Sequence, residues 1–131
     1  MMYRSRALLD LARGQPCLLR VPGVCCGDDS TTVACHSNEG AHGKGKGIKA
    51  HDFMSVWGCH ACHTWLDQGA APQALKLTVF LVAHELQIAA WQEIAMNICA
   101  KPARVEAARL ALQALKRFQE PQYARVKNQA F

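Results

Sequence analysis

Cys59 and Cys62, three positions apart in the run Cys59-His60-Ala61-Cys62, are the residues most suited to chemistry. A C-x2-C turn points two thiolates at one ion, and a tetrahedral Zn²⁺ site then needs a second pair. Upstream, Cys17 and Cys25 flank the turn signal Pro22-Gly23, which brings the chain back on itself, so they are the preferred partners. Cys26 competes with Cys25, because spacing cannot tell which of two neighbours points inward. A redox role for the C-x2-C pair would call for a surrounding βαβ pattern, which the sequence does not show. Cys35 and Cys99 read as small buried thiols.

The histidines suggest a second centre. His63 follows Cys62 directly, and Asp67 lies four residues on, so the two share a helix face. A His and a carboxylate at that spacing can hold a divalent ion and leave positions open for water and phosphate. His36 ends the β-prone run TTVAC, where a neutral imidazole could take a proton from water. Asp52 precedes a second β-prone run and suits either the ion or a turn cap. Asp67 standing alone would be a solvated helix residue. His42, His51 and His60 read as exposed loop residues, and His84 as a partly buried helix residue.

The elements that must position these groups follow from pattern and composition. The chain has 131 residues, half of them apolar and 19% charged, which suits one modest core and excludes a disordered chain. Seven Cys cannot all pair internally, and the opening MMYRSRALLDLARG lacks the apolar run of a secretory signal. The expectation is therefore a cytoplasmic, metal-binding chain rather than a disulfide framework. The stretch Leu75 to Ala100 is too interrupted by polar residues for a membrane span.

Residues 3–13 predict a short helix ended by Gly14 and Pro16. Residues 31–35 and 53–57 predict two strands, joined through SNEGAHGKGKGIKA, a mobile basic loop carrying Lys44, Lys46 and Lys49. A helix starts near Cys62, and Gly69 with Pro72 ends it. Residues 73–100 form a long helical pattern with an apolar stripe of Leu77, Phe80, Leu81, His84, Ile88, Trp91, Ile94, Ala95 and Ile98. Pro102 opens a last helix with Val105, Ala108, Leu112, Leu115 and Phe118 inward and Arg104, Arg109, Lys116 and Arg117 outward, and Pro121 stops it. The fold class is α+β, with residues 1–71 as a core and 72–131 as a helical extension packed on it. The net charge of +5 divides into +1 up to residue 69 and +4 beyond it.

The order Cys, strand, His36, Gly-rich loop, second strand and Cys59-His60-Ala61-Cys62-His63 opening a helix resembles the HNH or ββα-metal endonucleases. A nearer resemblance is to the small prophage-encoded nuclease family typified by YbcO, on LARG-x-x-C, R-x-PGVC, T-x-V-x-x-H and C-x-x-CH-x-x-x-D, roughly residues 9–67. The resemblance implies a zinc-stapled ββα core, with His36 as general base and His63 as ligand of a catalytic Mg²⁺ or other divalent ion. It implies Cys17, Cys25, Cys59 and Cys62 as the structural zinc set. Cys35 stands where many members place an ion ligand, Asp52 is nearest the middle Asn of the motif, and Asp67 takes the later helix position. The implied substrate is nucleic acid, DNA first, with Lys44, Lys46 and Lys49 on its phosphates. Phage or host recombination and replication proteins are the implied partners. Two other classes share much of this pattern: a non-catalytic zinc-containing nucleic-acid-binding module, and a zinc-stabilised protein-interaction adaptor.

Overall fold

The computed structural model describes residues 2–129, with side chains through 119. Its elements run α1 (Arg6–Asp10), β1 (Val33–His36), β2 (Ser55–Gly58), α2 (His60–Gln68), α3 (Gln73–Met96) and α4 (Pro102–Gln129), with 3₁₀ turns at Asp29–Thr31 and Gly40–His42. The expected mixed architecture of a two-stranded sheet and helices is present. The two strands are antiparallel, with Val33 opposite Gly58, Ala34 opposite Trp57, Cys35 opposite Val56 and His36 opposite Ser55.

Local chemistry accounts for the element ends. Ser5 caps α1, its hydroxyl accepting from Leu8 N. The second strand starts two residues later than predicted, because a turn precedes it: Met54 N donates to His51 O at 2.8 Å. Cys59 is the N-cap of α2, so its thiol sits where the first free N–H groups point. The long helix stops at Met96, short of the predicted Ala100, and Asn97 closes it by accepting from Cys99 N at 2.9 Å. Cys99 is consequently exposed rather than buried. Pro121 does not end α4, which runs on to Gln129.

The core-facing side of α3 shares Phe80, His84 and Trp91 with the predicted stripe but is shifted toward Lys76, Ala83 and Gln87. Its buried residues are Lys76, Phe80, Ala83, His84, Gln87 and Trp91, whereas Leu81 is 42% and Ile98 98% exposed. Hydrogen bonding explains the rotation. Gln87 Oε1 accepts from Trp57 N at 2.8 Å, and His84 Nε2 donates to Phe53 O at 2.8 Å, so both polar groups are drawn inward onto β2 and the turn before it. α3 has the length and hydropathy of a membrane-crossing helix, but it buries Lys76, His84 and Gln87 in the core and packs on β2 and α4. α4 presents Ala107, Ala108, Ala111 and Leu115 to the core and packs on both α3 and α1.

The segment after α1 completes the fold. Leu18 N donates to Trp57 O at 2.8 Å, which lays Cys17–Val21 along β2. Gly58 permits that approach: a Cβ there would lie 2.6 Å from Leu19 Cδ1 and 2.7 Å from Cys35 Sγ. The Gly-rich loop is more ordered than its composition predicts. It holds the Gly40–His42 turn, and Gly45 N donates to Ile48 O at 3.0 Å.

Candidate active site and cysteine cluster

Cys17, Cys25, Cys59 and Cys62 converge, their sulfurs all within 4.8 Å of one another. Two segments bring them there. Cys59 caps α2 and Cys62 occupies its first turn, so the spacing of the pair is set by the helix start. Cys17 and Cys25 flank a tight turn in which Arg20 adopts the left-handed region at φ +46° and Cys25 N donates to Val21 O at 2.9 Å. Backbone amides surround the sulfurs: Arg20 N reaches Cys17 Sγ at 3.4 Å, Val21 N reaches Cys62 Sγ at 3.4 Å, and Cys62 N reaches Cys59 Sγ at 3.5 Å. Burial opposes ionisation of Cys59, but the amides and thiols around it outweigh this and bring its pKa down to about 6. Burial pushes the Cys62 thiol up.

The donor set fits a tetrahedral ion. With a Zn–S bond of about 2.3 Å, neighbouring ligand sulfurs lie about 3.8 Å apart, and Cys59 Sγ stands 3.9 Å from Cys25 Sγ. The structure also separates the two neighbours that spacing left open. Both residues are exposed, but the Cys25 sulfur joins the cluster, whereas Cys26 Sγ lies 3.9 Å from the Thr31 hydroxyl. Cys35 is fully buried, and its thiol is pushed well above its usual range by that burial.

A cleft of about 460 Å³ opens on the other side of α2. His36 reaches it from the end of β1, and His63 and Asp67 reach it from one face of α2. His63 Nε2 lies 3.1 Å from Asp67 Oδ2, and Asn38 Nδ2 donates to Asp67 Oδ1 at 2.9 Å. A nitrogen and an oxygen donor so close can act as adjacent ligands of one divalent ion, because bonds of about 2.1 Å at right angles place donors about 3 Å apart.

Asp52 lies elsewhere. It is buried, and its oxygens face His36 and the N-terminal segment rather than His63 and Asp67. His36 Nε2 donates to Asp52 Oδ1 at 2.8 Å, Arg4 Nη1 to the same oxygen at 3.2 Å, and Ser5 N to Oδ2 at 2.7 Å. Among the loop lysines, Lys44 and Lys49 line the cleft and Lys46 does not. Arg6 and Arg13 on the opposite wall were not singled out in the sequence. Arg6 opens α1 and Arg13 lies in the turn after it, with Asp10 between them in ion pairs at 3.5 Å to Arg6 Nε and 3.7 Å to Arg13 Nη2. Asn38 was missed as well, since nothing local marks a loop amide that meets a helix carboxylate 29 residues away.

His42 and His51 prove structural rather than free loop residues. His42 Nδ1 hydrogen-bonds Ser37 Oγ at 2.6 Å, and His51 Nδ1 accepts from Tyr3 N at 3.0 Å while its ring stacks on Phe53 at 4.8 Å.

Comparison with known proteins adds a lineage to this geometry. The family model described as "Putative nuclease YbcO" matches residues 6–95, which include the cysteine cluster and the cleft histidines. "Putative nuclease YbcO" of Escherichia coli (strain K12) and "Putative nuclease ybcO" of Enterobacteria phage 82 are each 39% identical over 57 residues. That alignment spans 44% of this chain and 58% of each relative. A solved structure, described as that of a putative bacteriophage protein from Escherichia coli str. K-12 substr. MG1655, superposes with a TM-score of 0.51 at 25% identity, covering 63% of this chain and 93% of the other. α4 begins beyond the residues that the family model matches.

Proposed function

Since the chain belongs to the family described as "Putative nuclease YbcO", we propose that it is a metal-dependent endonuclease of the HNH type that hydrolyses phosphodiester bonds, with DNA as substrate. The observation that carries the reading is the cleft itself: His36, His63 and Asp67 face one space, rimmed by Arg6 and Arg13 from the N-terminal segment and Lys44 and Lys49 from the Gly-rich loop. Two antiparallel strands followed directly by a helix, with one histidine on β1 and one on α2, support the ββα comparison.

On this reading His36 takes a proton from a water molecule. The water oxygen bonds to phosphorus opposite the leaving oxygen, the P–O bond to that oxygen breaks, and the leaving oxygen acquires a proton from solvent. His63 and Asp67 would hold a divalent ion such as Mg²⁺, which would supply positive charge against the negative charge that builds on the phosphate and leaving oxygen. Asn38 keeps Asp67 turned toward His63. The four rim cations contact phosphates on either side of the cut without reading bases. The cysteine cluster holds a structural Zn²⁺ that ties residues 17 and 25 to the start of the helix bearing His63. The substrate is met in the cytoplasm of a bacterial host, among phage or host replication and recombination proteins.

Plasmid nicking with Mg²⁺ or Mn²⁺ tests the reading. His36→Ala and His63→Ala are expected to lower the cleavage rate by about 10²-fold or more, while DNA binding persists and weakens as salt rises. A wild-type protein that cuts neither DNA nor RNA with any divalent ion refutes it. Salt-sensitive binding without cutting would then leave the nucleic-acid-binding module, and no such binding would leave the adaptor.

A further inference from the structure

We propose that Asp52 is a positioning residue for the proposed hydrolysis: it holds His36 as the Nε2–H tautomer and so makes Nδ1 the nitrogen that accepts the proton from water. The inference rests on the nuclease reading and adds to it which ring nitrogen acts and what sets it.

Asp52 is 3% exposed, and both its oxygens are occupied. Oδ1 accepts from His36 Nε2 at 2.8 Å and from Arg4 Nη1 at 3.2 Å. Oδ2 accepts from Ser5 N at 2.7 Å. A carboxylate has no hydrogen to offer, so the imidazole nitrogen facing it must carry one. That leaves Nδ1 with its lone pair, on the residue that lines the cleft. When Nδ1 takes a proton from water the ring becomes an imidazolium, and the ionised Asp52 behind it offsets the new charge. The proton stays on Nδ1, and Nε2 keeps its own hydrogen.

The arrangement is held from the N-terminus. Residues 3–5 run beside the loop at 49–52: Asp52 N donates to Tyr3 O at 3.0 Å, Arg4 Nη2 donates to Lys49 O at 2.7 Å, and Arg4 Nη1 also bonds Ala50 O. Arg4 therefore clamps three consecutive features at once, the two loop carbonyls and the carboxylate. The guanidinium places a positive charge 3.2 Å from the buried carboxylate, and Ser5 N occupies Oδ2, which leaves Oδ1 to the imidazole.

Asp52→Asn is the informative change because it keeps the shape and reverses the donor. An Asn amide whose oxygen meets Ser5 N turns its NH₂ to His36 and Arg4 Nη1; turned the other way, it serves those two donors, leaves Ser5 N unpaired and keeps Nε2–H. In the first setting Nε2 must accept and the hydrogen moves to Nδ1, the nitrogen that should be free, so the ring spectrum is read beside kcat and the two must change together. The comparable tautomer error in a Ser-His-Asp triad lowers kcat about 10⁴-fold. With the full chain in its metal-loaded form, Asp52→Asn is expected to reduce kcat for plasmid nicking by about 10²-fold or more, with KM changed little. Long-range ¹H–¹⁵N correlation spectra of the His36 ring report the tautomer without any need for turnover. Wild type is expected to show Nε2–H, and the Asn variant Nδ1–H. Arg4→Gln, which leaves the carboxylate present but loosely held, is expected to lower kcat less and to retain Nε2–H.

Either of two results overturns the inference alone: an active wild type whose His36 carries Nδ1–H, or an Asn variant that folds, shows Nδ1–H and cleaves with unchanged kcat. A wild type that never cleaves overturns the nuclease reading on which the inference depends, and the two failures are distinguished by wild-type activity.

Discussion

Replacing Cys25 and Cys26 with serine, one at a time, tests the metal cluster at the point where neighbouring residues differ most. Cys25 Sγ stands 3.9 Å from Cys59 Sγ within the four-sulfur cluster, whereas Cys26 Sγ lies outside that cluster, 3.9 Å from the Thr31 hydroxyl. Structural zinc sites contribute about 10–16 kcal/mol of binding free energy. Dividing that equally over four thiolates assigns about 2.5–4 kcal/mol to each, or roughly 10²–10³ in affinity. Because metal that binds only the folded chain stabilises it by its affinity, the same loss appears as stability at fixed free zinc. At roughly 4 °C per kcal/mol for a chain of this size, Cys25→Ser should lower Tm by about 10–15 °C. Cys26→Ser should change both quantities little. Zinc content by mass spectrometry, competition with a chromophoric chelator and a thermal melt at buffered free zinc measure all three. The expected outcome is one zinc per chain for wild type and Cys26→Ser, and weakened binding for Cys25→Ser. If Cys26→Ser loses the metal while Cys25→Ser keeps it, the assignment of the cluster is wrong. If wild type binds no zinc, the structural-ion argument fails altogether.

Acidification is expected to destabilise the fold through its buried histidines. Burial holds His84 below the usual imidazole pKa, as it does His42, where Glu39 opposes it, and His51, where Arg4 adds to it. The unfolded chain then binds more protons than the folded one, so stability is present above about pH 6.5 and is lost as pH falls toward the lowered folded values. The urea midpoint should drop between about pH 7 and pH 5, less so in His84→Gln; a midpoint that rises on acidification contradicts the sign. Gly58→Ala should cost about 1–3 kcal/mol by overpacking, since its Cβ would meet Leu19 and Cys35 below 3 Å. A chemical-denaturation midpoint equal to wild type would show that the segment Cys17–Val21 yields freely.

Local patterns carried much of the architecture. The two short strands, the helix beginning at the C-x2-C pair and the two long helices were legible because each is set by residues within a turn or two of one another. The same locality made Cys59, Cys62 and the His63–Asp67 pair readable as neighbours. Errors arose where a tertiary partner overrode the pattern. The α3 stripe placed Phe80, His84 and Trp91 inward, as they are, but missed Gln87, which turns inward because Trp57 N requires a partner there. The Gly-rich loop was read as mobile, yet Arg4 reaches into it from outside and Ser37 bonds His42 within it.

By itself the sequence determined the inventory and the short-range geometry: a thiol pair at a helix start, a histidine at a strand end and a family lineage in quotable motifs. Only the tertiary structure decided between Cys25 and Cys26, moved Arg6, Arg13 and Asn38 to the cleft, and took Asp52 away from the proposed ion to set it behind His36. The physical reason is sequence separation. Asp52 meets His36 across 16 residues and Ser5 across 47. No periodicity records such a meeting, because it depends on how the strands register and where the N-terminal segment comes to rest.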